Sequence, residues 1–137
     1  MARDNRAYMK AYYQANKAAL IDASKLYQRH YRKTKPGFLT KLYANMVSRV
    51  TGKHGKHHIY LGLPIIPGPE FRAWASSDPA FNQLHDEWAA SGYDRRRVPS
   101  IDRIDSDGGY TIGNMRFITL SENSRLGNWT QRYGFAD

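Results

Sequence analysis

Charge is segregated along this chain. Residues 1–60 carry 13 Lys and Arg against two acids, Asp4 and Asp22, a net of +11. Residues 61–137 carry 8 Lys and Arg against 10 acids, a net of −2. So much like charge in one segment repels itself, and the segment is relieved by a polyanion. Four of the five histidines (His30, His54, His57, His58) lie in the basic part, and acids cluster between Asp94 and Asp107. A basic half that grips a polyanion, joined to an acidic half able to hold a cation, is the simplest reading. The competing one is a lysine-rich solvated helix without a partner.

The remaining bounds are brief. A length of 137 residues suits one compact domain, or a small domain with an appended segment. The absence of cysteine excludes disulfides, thiol nucleophiles, thiolate zinc sites and iron–sulfur clusters. No apolar run approaches the roughly 18 residues of a membrane span, and MARDNRAYMK has no signal-peptide core. A cytoplasmic protein with no membrane partner is expected.

Apolar spacing predicts a helix over 4–33, with Asp4 as its cap. Its stripe of Tyr8, Tyr12, Ala15, Ala19, Ala23 and Leu26 is too weak to bury firmly, so the segment is expected either to order on DNA or to split in two. Packing is the commoner role for tyrosines such as Tyr12, Tyr13, Tyr27 and Tyr31; stacking on, or hydrogen bonding to, nucleic acid is the other. Lys35-Pro36-Gly37 is a break. A second helix is predicted from Phe38 to Val50, with Leu39, Leu42, Tyr43, Met46, Val47 and Val50 as core and Gly52 as stop signal. TGKHGKHH (51–58) is a basic loop whose histidines are better placed to face solvent or phosphate than to ligate metal. Ile59–Leu63 is a candidate strand. A short helix is expected over Glu70–Ser76. Asp78-Pro79 starts another, with Phe81, Leu84, His85 and Trp88 on one face and Gly92 as its end. His85 reads as a packed core histidine.

From residue 98 the pattern changes to strand (Val98–Ile104), turn-rich loop (Asp105–Gly113), strand (Met115–Thr119) and helix. The helix opens on the capping box Thr119-Leu-Ser-Glu122 and is expected to end near Gly127. Polar residues occupy places that a bland hairpin would leave apolar. Asp102 and Arg103 lie within the first strand, Asn114 begins the second, and Asn123 sits one turn into the helix. A helix folded back over the hairpin brings Asp102 and Asn123 towards one hard cation, with positions left for water and phosphate. Singly each has a plainer role: Asp102 paired with Arg103 or Arg116, Asn114 in a turn, Asn123 bonded within its helix, and Asp105 and Asp107 shaping the turn before Gly108-Gly109.

The stretch SIDRIDSDGGYTIGNMRFITLSENSRLGN (100–128) resembles the ββα-metal core of HNH, or His-Me finger, endonucleases. It is most similar to a phage-borne branch with a SIDRID…GY…N…N signature, and GFLTKLYANMVSRVTG and DEWAASGYD look like sequence preceding that core in phage proteins. The resemblance implies an α+β fold: a small, mainly helical basic N-terminal region followed by a C-terminal ββα-metal unit. Its expected divisions are 1–58 for DNA binding, 59–97 as connection, 98–127 as nuclease core and 128–137 as tail. It implies Asp102 and Asn123 as ligands to Mg²⁺ or Mn²⁺, and Asn114 as the residue that braces the loop. It also implies hydrolysis of double-stranded DNA to 5′-phosphate and 3′-hydroxyl ends, by a homing-type enzyme in a phage-infected bacterial cytoplasm.

One position departs from the family. Arg103 stands where the general-base histidine belongs, and arginine does not give up its proton in proteins. Arg103 is then a phosphate clamp among the catalytic residues Asp102, Arg103, Asn114 and Asn123. The proton passes to solvent or to another side chain, with Tyr110 and the 54–58 histidines as candidates. Alternatively the chain cuts slowly, or binds DNA on a retired nuclease fold. The expected DNA contacts are Lys10, Lys17, Lys25, Arg29, Arg32, Lys33, Lys53, Lys56, His57, His58 and Arg116. An RNA-binding basic protein is a third possibility. Monomer and homodimer both remain open.

Overall fold

The computed structural model describes residues 5–53 and 57–133, with no account of the side chains at 57–58 and 128–133. The molecule is α+β and mostly helical. In chain order it runs α1 (Arg6–Lys33), α2 (Lys35–Val50), α3 (His57–Tyr60), α4 (Gly68–Ser76), α5 (Pro79–Ala90), a 3₁₀ turn (Arg95–Arg97), β1 (Pro99–Arg103), β2 (Met115–Thr119) and α6 (Leu120–Tyr133).

α1 is one continuous helix of 28 residues, about 42 Å long, and buries no residue. It is not split in two. Tyr8, Tyr12, Tyr13, Tyr27 and Tyr31 stay exposed, and two pairs stack along the helix, Tyr8 on Tyr12 and Tyr27 on Tyr31. The expected packing role for Tyr12, Tyr13, Tyr27 and Tyr31 therefore fails: charge on the other faces leaves no apolar surface broad enough to bury. The predicted cap Asp4 lies outside the described residues.

The break between α1 and α2 is a single residue, Thr34. Its hydroxyl accepts from the Gly37 amide at 3.2 Å, so Lys35-Pro36-Gly37 forms the first turn of α2 instead of a loop. Proline suits that first turn because its missing N–H has no partner there anyway. A Cβ at Gly37 would collide with the Tyr31 carbonyl, so the corner needs glycine for its close approach. α2 stops as predicted at Gly52, whose φ is 82°. Bonds from Gly52 N to Arg49 O and from Lys53 N to Ser48 O close a Schellman motif.

One core joins α2, α4, α5 and the hairpin. Leu39, Met46, Phe71 and Phe81 are almost wholly enclosed, with Ile101, Met115 and Phe117 from the strands. Full burial of such a side chain contributes roughly 1.5–3 kcal/mol. β1 and β2 pair antiparallel with Asp102 opposite Arg116. The 59–63 segment is not a strand: α3 ends at Tyr60 and a turn follows, with Gly62 at φ 77° donating to the Val50 carbonyl. The strand-like pairing falls later. Ile65 bridges Tyr110 in parallel, and the Tyr110 amide donates to Pro64 O at 2.8 Å. α6 runs past Gly127 to Tyr133; a lone glycine costs a helix about 1 kcal/mol and does not stop it.

Candidate metal and nucleic-acid site

β1, the loop after it, α6 and α2 enclose an open cleft of about 1350 Å³. Asp102 and Asn123 both line it. Antiparallel pairing puts Asp102 across from Arg116, whose Nε donates to Asp102 Oδ2 at 2.8 Å. This is the plain pairing open to Asp102 from sequence. It holds the carboxylate in one orientation and engages one of its two oxygens.

α6 starts where the sequence places it, with the Glu122 amide donating to Thr119 Oγ1 at 3.1 Å. That start sets Asn123 one turn into the helix and over β1. The Asn123 side-chain nitrogen donates to Ser100 Oγ at 2.8 Å and to the Ile101 carbonyl at 3.1 Å. A carbonyl only accepts, so the amide nitrogen is the group facing Ile101 and the side chain cannot be flipped. Asn123 thus ties α6 to β1 with its nitrogen.

Asn114 braces the loop, as expected from sequence. Its oxygen accepts from the Asp105 amide at 2.8 Å, and its nitrogen donates to Asp105 O at 3.1 Å and Gly109 O at 2.8 Å. Arg103 works on the same loop: Nη1 donates to Ser106 O at 2.7 Å and Gly108 O at 2.9 Å. Its guanidinium also lies 4.5 Å from the centre of the Tyr60 ring, a cation–π contact. Two of its five N–H donors can meet those carbonyls. Asp105 and Asp107 shape the turn, with the Asp107 amide donating to Asp105 Oδ1.

Tyr110 is buried against Tyr60, and Arg49 donates to its hydroxyl at 3.4 Å. Burial pushes its phenol above the ordinary tyrosine range, outweighing the opposing pull of Arg49. A phenol that holds its proton more tightly than usual is a poor proton acceptor. His54, His57 and His58, together with Lys56, lie outside the described residues or side chains.

No family model, no curated protein and no solved structure matches this chain.

The other predicted DNA contacts divide by place. Lys10, Lys17, Lys25 and Arg29 are exposed along α1, and Lys53 is exposed just after α2. Arg32 alone among the α1 residues lines the cleft. Lys33 sits 4.5 Å from the centre of the Tyr93 ring. Arg116 is committed to Asp102. Sequence reasoning missed Arg49 and Tyr60, which line the cleft beside Arg103. The four-residue spacing of Lys41, Asn45 and Arg49 was the available signal for Arg49, on the face of α2 beside its stronger apolar stripe.

A fit to a hard cation rests on donor chemistry. The Asp102 carboxylate and the Asn123 amide supply oxygen donors, a set that suits Mg²⁺ or Mn²⁺ over Zn²⁺. Among the described residues no three His, Asp or Glu side chains converge on one point. A cation here would therefore complete its shell with water and phosphate, as Mg²⁺ commonly does.

Proposed function

We propose that this chain is a divalent-metal-dependent DNA endonuclease of the HNH type, of phage homing character, that hydrolyses phosphodiester bonds in double-stranded DNA. The observation that carries this reading is that Asn123, fixed to β1 through its nitrogen, lines the same cleft as Asp102. The strand–loop–strand–helix order and the loop braced by Asn114 support it.

Asp102 and Asn123 would hold Mg²⁺ or Mn²⁺. That ion, when bound, polarises the scissile phosphate and stabilises the leaving oxygen. Arg116 orients the Asp102 carboxylate. Asn114 and the Nη1 of Arg103 keep the loop rigid, and the remaining donors of Arg103 stabilise charge on the phosphate. The proton of the attacking water would go to solvent or to one of the 54–58 histidines, because Arg103 cannot accept it and Tyr110 keeps its own. The exposed cations of α1 hold DNA beyond the reacting centre.

The test is nicking of supercoiled DNA in Mg²⁺ or Mn²⁺, with Asp102→Ala purified beside the wild type. Metal-dependent conversion by the wild type, reduced about a hundredfold or more in Asp102→Ala, is the expected result. A second reading, a DNA-binding protein on a retired nuclease fold, draws on the arginine in place of the base. It predicts tight duplex binding with no conversion of any DNA by either protein.

A further inference from the structure

The long wall of the cleft is a face of α2 that the nuclease reading does not use. Lys41, Asn45 and Arg49 recur every fourth residue, and all three line the cleft. Each step advances about 6 Å along the helix, so the three form a polar ledge inclined about 26° to its axis, beside Phe38 and Leu42. Lys41 and Asn45 are exposed and Arg49 is half-buried. Among the described residues no carboxylate pairs with Lys41 or Arg49. The acids of the cleft, Asp102, Asp105 and Asp107, all come from β1 and the loop after it. The acids are thus confined to one wall, where Arg103 and Arg116 stand among them, while the α2 wall carries cations and no acid.

We propose that the α2 ledge is a phosphate track: Lys41, Asn45 and Arg49 hold successive phosphates of one strand of a DNA duplex and deliver that strand to the wall bearing Asp102 and Asn123. Charge decides the occupant. A basic peptide, or the basic 1–60 part of a second copy, would meet like charge on the ledge. An apolar segment would offer Lys41 no counter-charge and leave Arg49 only Tyr110 and Tyr60. A phosphodiester backbone supplies regularly spaced anions, and backbone phosphates accept hydrogen bonds from Asn as readily as from Lys and Arg. The proposal rests on the nucleic-acid half of the functional reading and is independent of cleavage.

The test is therefore made without metal. Binding of a short labelled duplex is followed by fluorescence anisotropy in EDTA over a salt series, for the wild type and for Lys41→Gln, Asn45→Asp, Arg49→Gln, Arg49→Lys and Arg72→Gln. Each phosphate contact adds about 0.9 to the slope of log affinity against log salt. Lys41→Gln and Arg49→Gln are expected to lower that slope by about one each, which corresponds to about fivefold weaker binding at physiological salt. Asn45→Asp weakens binding by repulsion, and Arg49→Lys keeps the slope. Arg72, exposed on α4 away from the cleft, reports indiscriminate surface attraction, and its variant is expected to match the wild type. Wild-type slopes in both Lys41→Gln and Arg49→Gln would overturn the proposal. So would an equal loss in Arg72→Gln, or a preference for single-stranded RNA over the duplex. Failure of the nuclease reading shows instead in the nicking assay, where a folded protein with an intact ledge would bind and not cut.

Discussion

At the residue scale, the candidate site is a set of side chains that each do two things. Asn123 fastens α6 to β1 and faces the cleft; Asp102 is held by Arg116 and faces the same cleft. Structural and chemical roles therefore separate by substitution. Asn123→Asp sets a second acceptor against the Ile101 carbonyl, and we expect a loss of about 2 kcal/mol in urea unfolding. Asp102→Asn keeps an acceptor for Arg116 and forfeits only the charge of an exposed-side ion pair. Its stability should change by under about 1 kcal/mol while metal-dependent nicking collapses. Equal stability losses in the two would show that Asp102 is there for the hairpin alone. Tyr110→Phe removes the one phenol that the sequence offered as proton acceptor. Because burial keeps that phenol protonated, nicking and its pH profile are expected to match the wild type. A rate drop with a displaced alkaline limb would return Tyr110 to the chemistry.

At the element scale, the legible features were those whose signal is local. The helix start at Asp78-Pro79, the capping box at Thr119 and the stop at Gly52 were read from adjacent residues, because capping bonds span only a few positions. The misread elements depend on distant partners. The 59–63 segment has strand-like composition, yet the edge that accepts pairing is Tyr110, almost fifty residues on, and it takes Ile65. The same holds inside the site. Asn114 as loop brace was implied by the resemblance and fits its residue-level reading as a turn asparagine, since its partners lie within nine residues. Arg103 over Tyr60, and Arg49 on Tyr110, needed the fold. The α1–α2 corner gives a sharp check at this scale. Gly37→Ala drives a methyl into the Tyr31 carbonyl, and neither helix can yield without losing the Thr34 cap. We expect a loss of about 1–3 kcal/mol and, since α1 buries nothing else, a larger fall in DNA affinity than in core packing. Near-UV circular dichroism and duplex binding on the same sample would check it. Unchanged stability would mean that the corner opens freely.

At the scale of the whole molecule, the basic α1 is fastened to the core partly through one buried histidine. His85 on α5 lies among Phe38, Phe81 and Trp88 and is 6 % exposed. Its Nε2 lies 2.9 Å from the Lys33 carbonyl at the end of α1. A carbonyl only accepts, so Nε2 carries the proton and the neutral ring already makes this bond. Burial lowers the pKa of His85; the Lys33 carbonyl opposes that shift, nearby Lys35 adds to it and Asp86 counters Lys35. The sign follows from which state binds more protons. Between the lowered folded value and the unfolded value of about 6.5, the unfolded chain is the more protonated. His85 therefore contributes stability in full above about pH 6.5, and that contribution is lost as pH falls towards the folded pKa. Protonation keeps the bond to Lys33 but places a cation among aromatic rings next to Lys35. We expect the melting temperature to drop on acidification from about pH 7 to 5. In His85→Gln, an amide can donate to Lys33 O without titrating, and the slope over that window should flatten. A wild-type slope retained in His85→Gln would place the acid sensitivity elsewhere and remove the histidine from the attachment of α1.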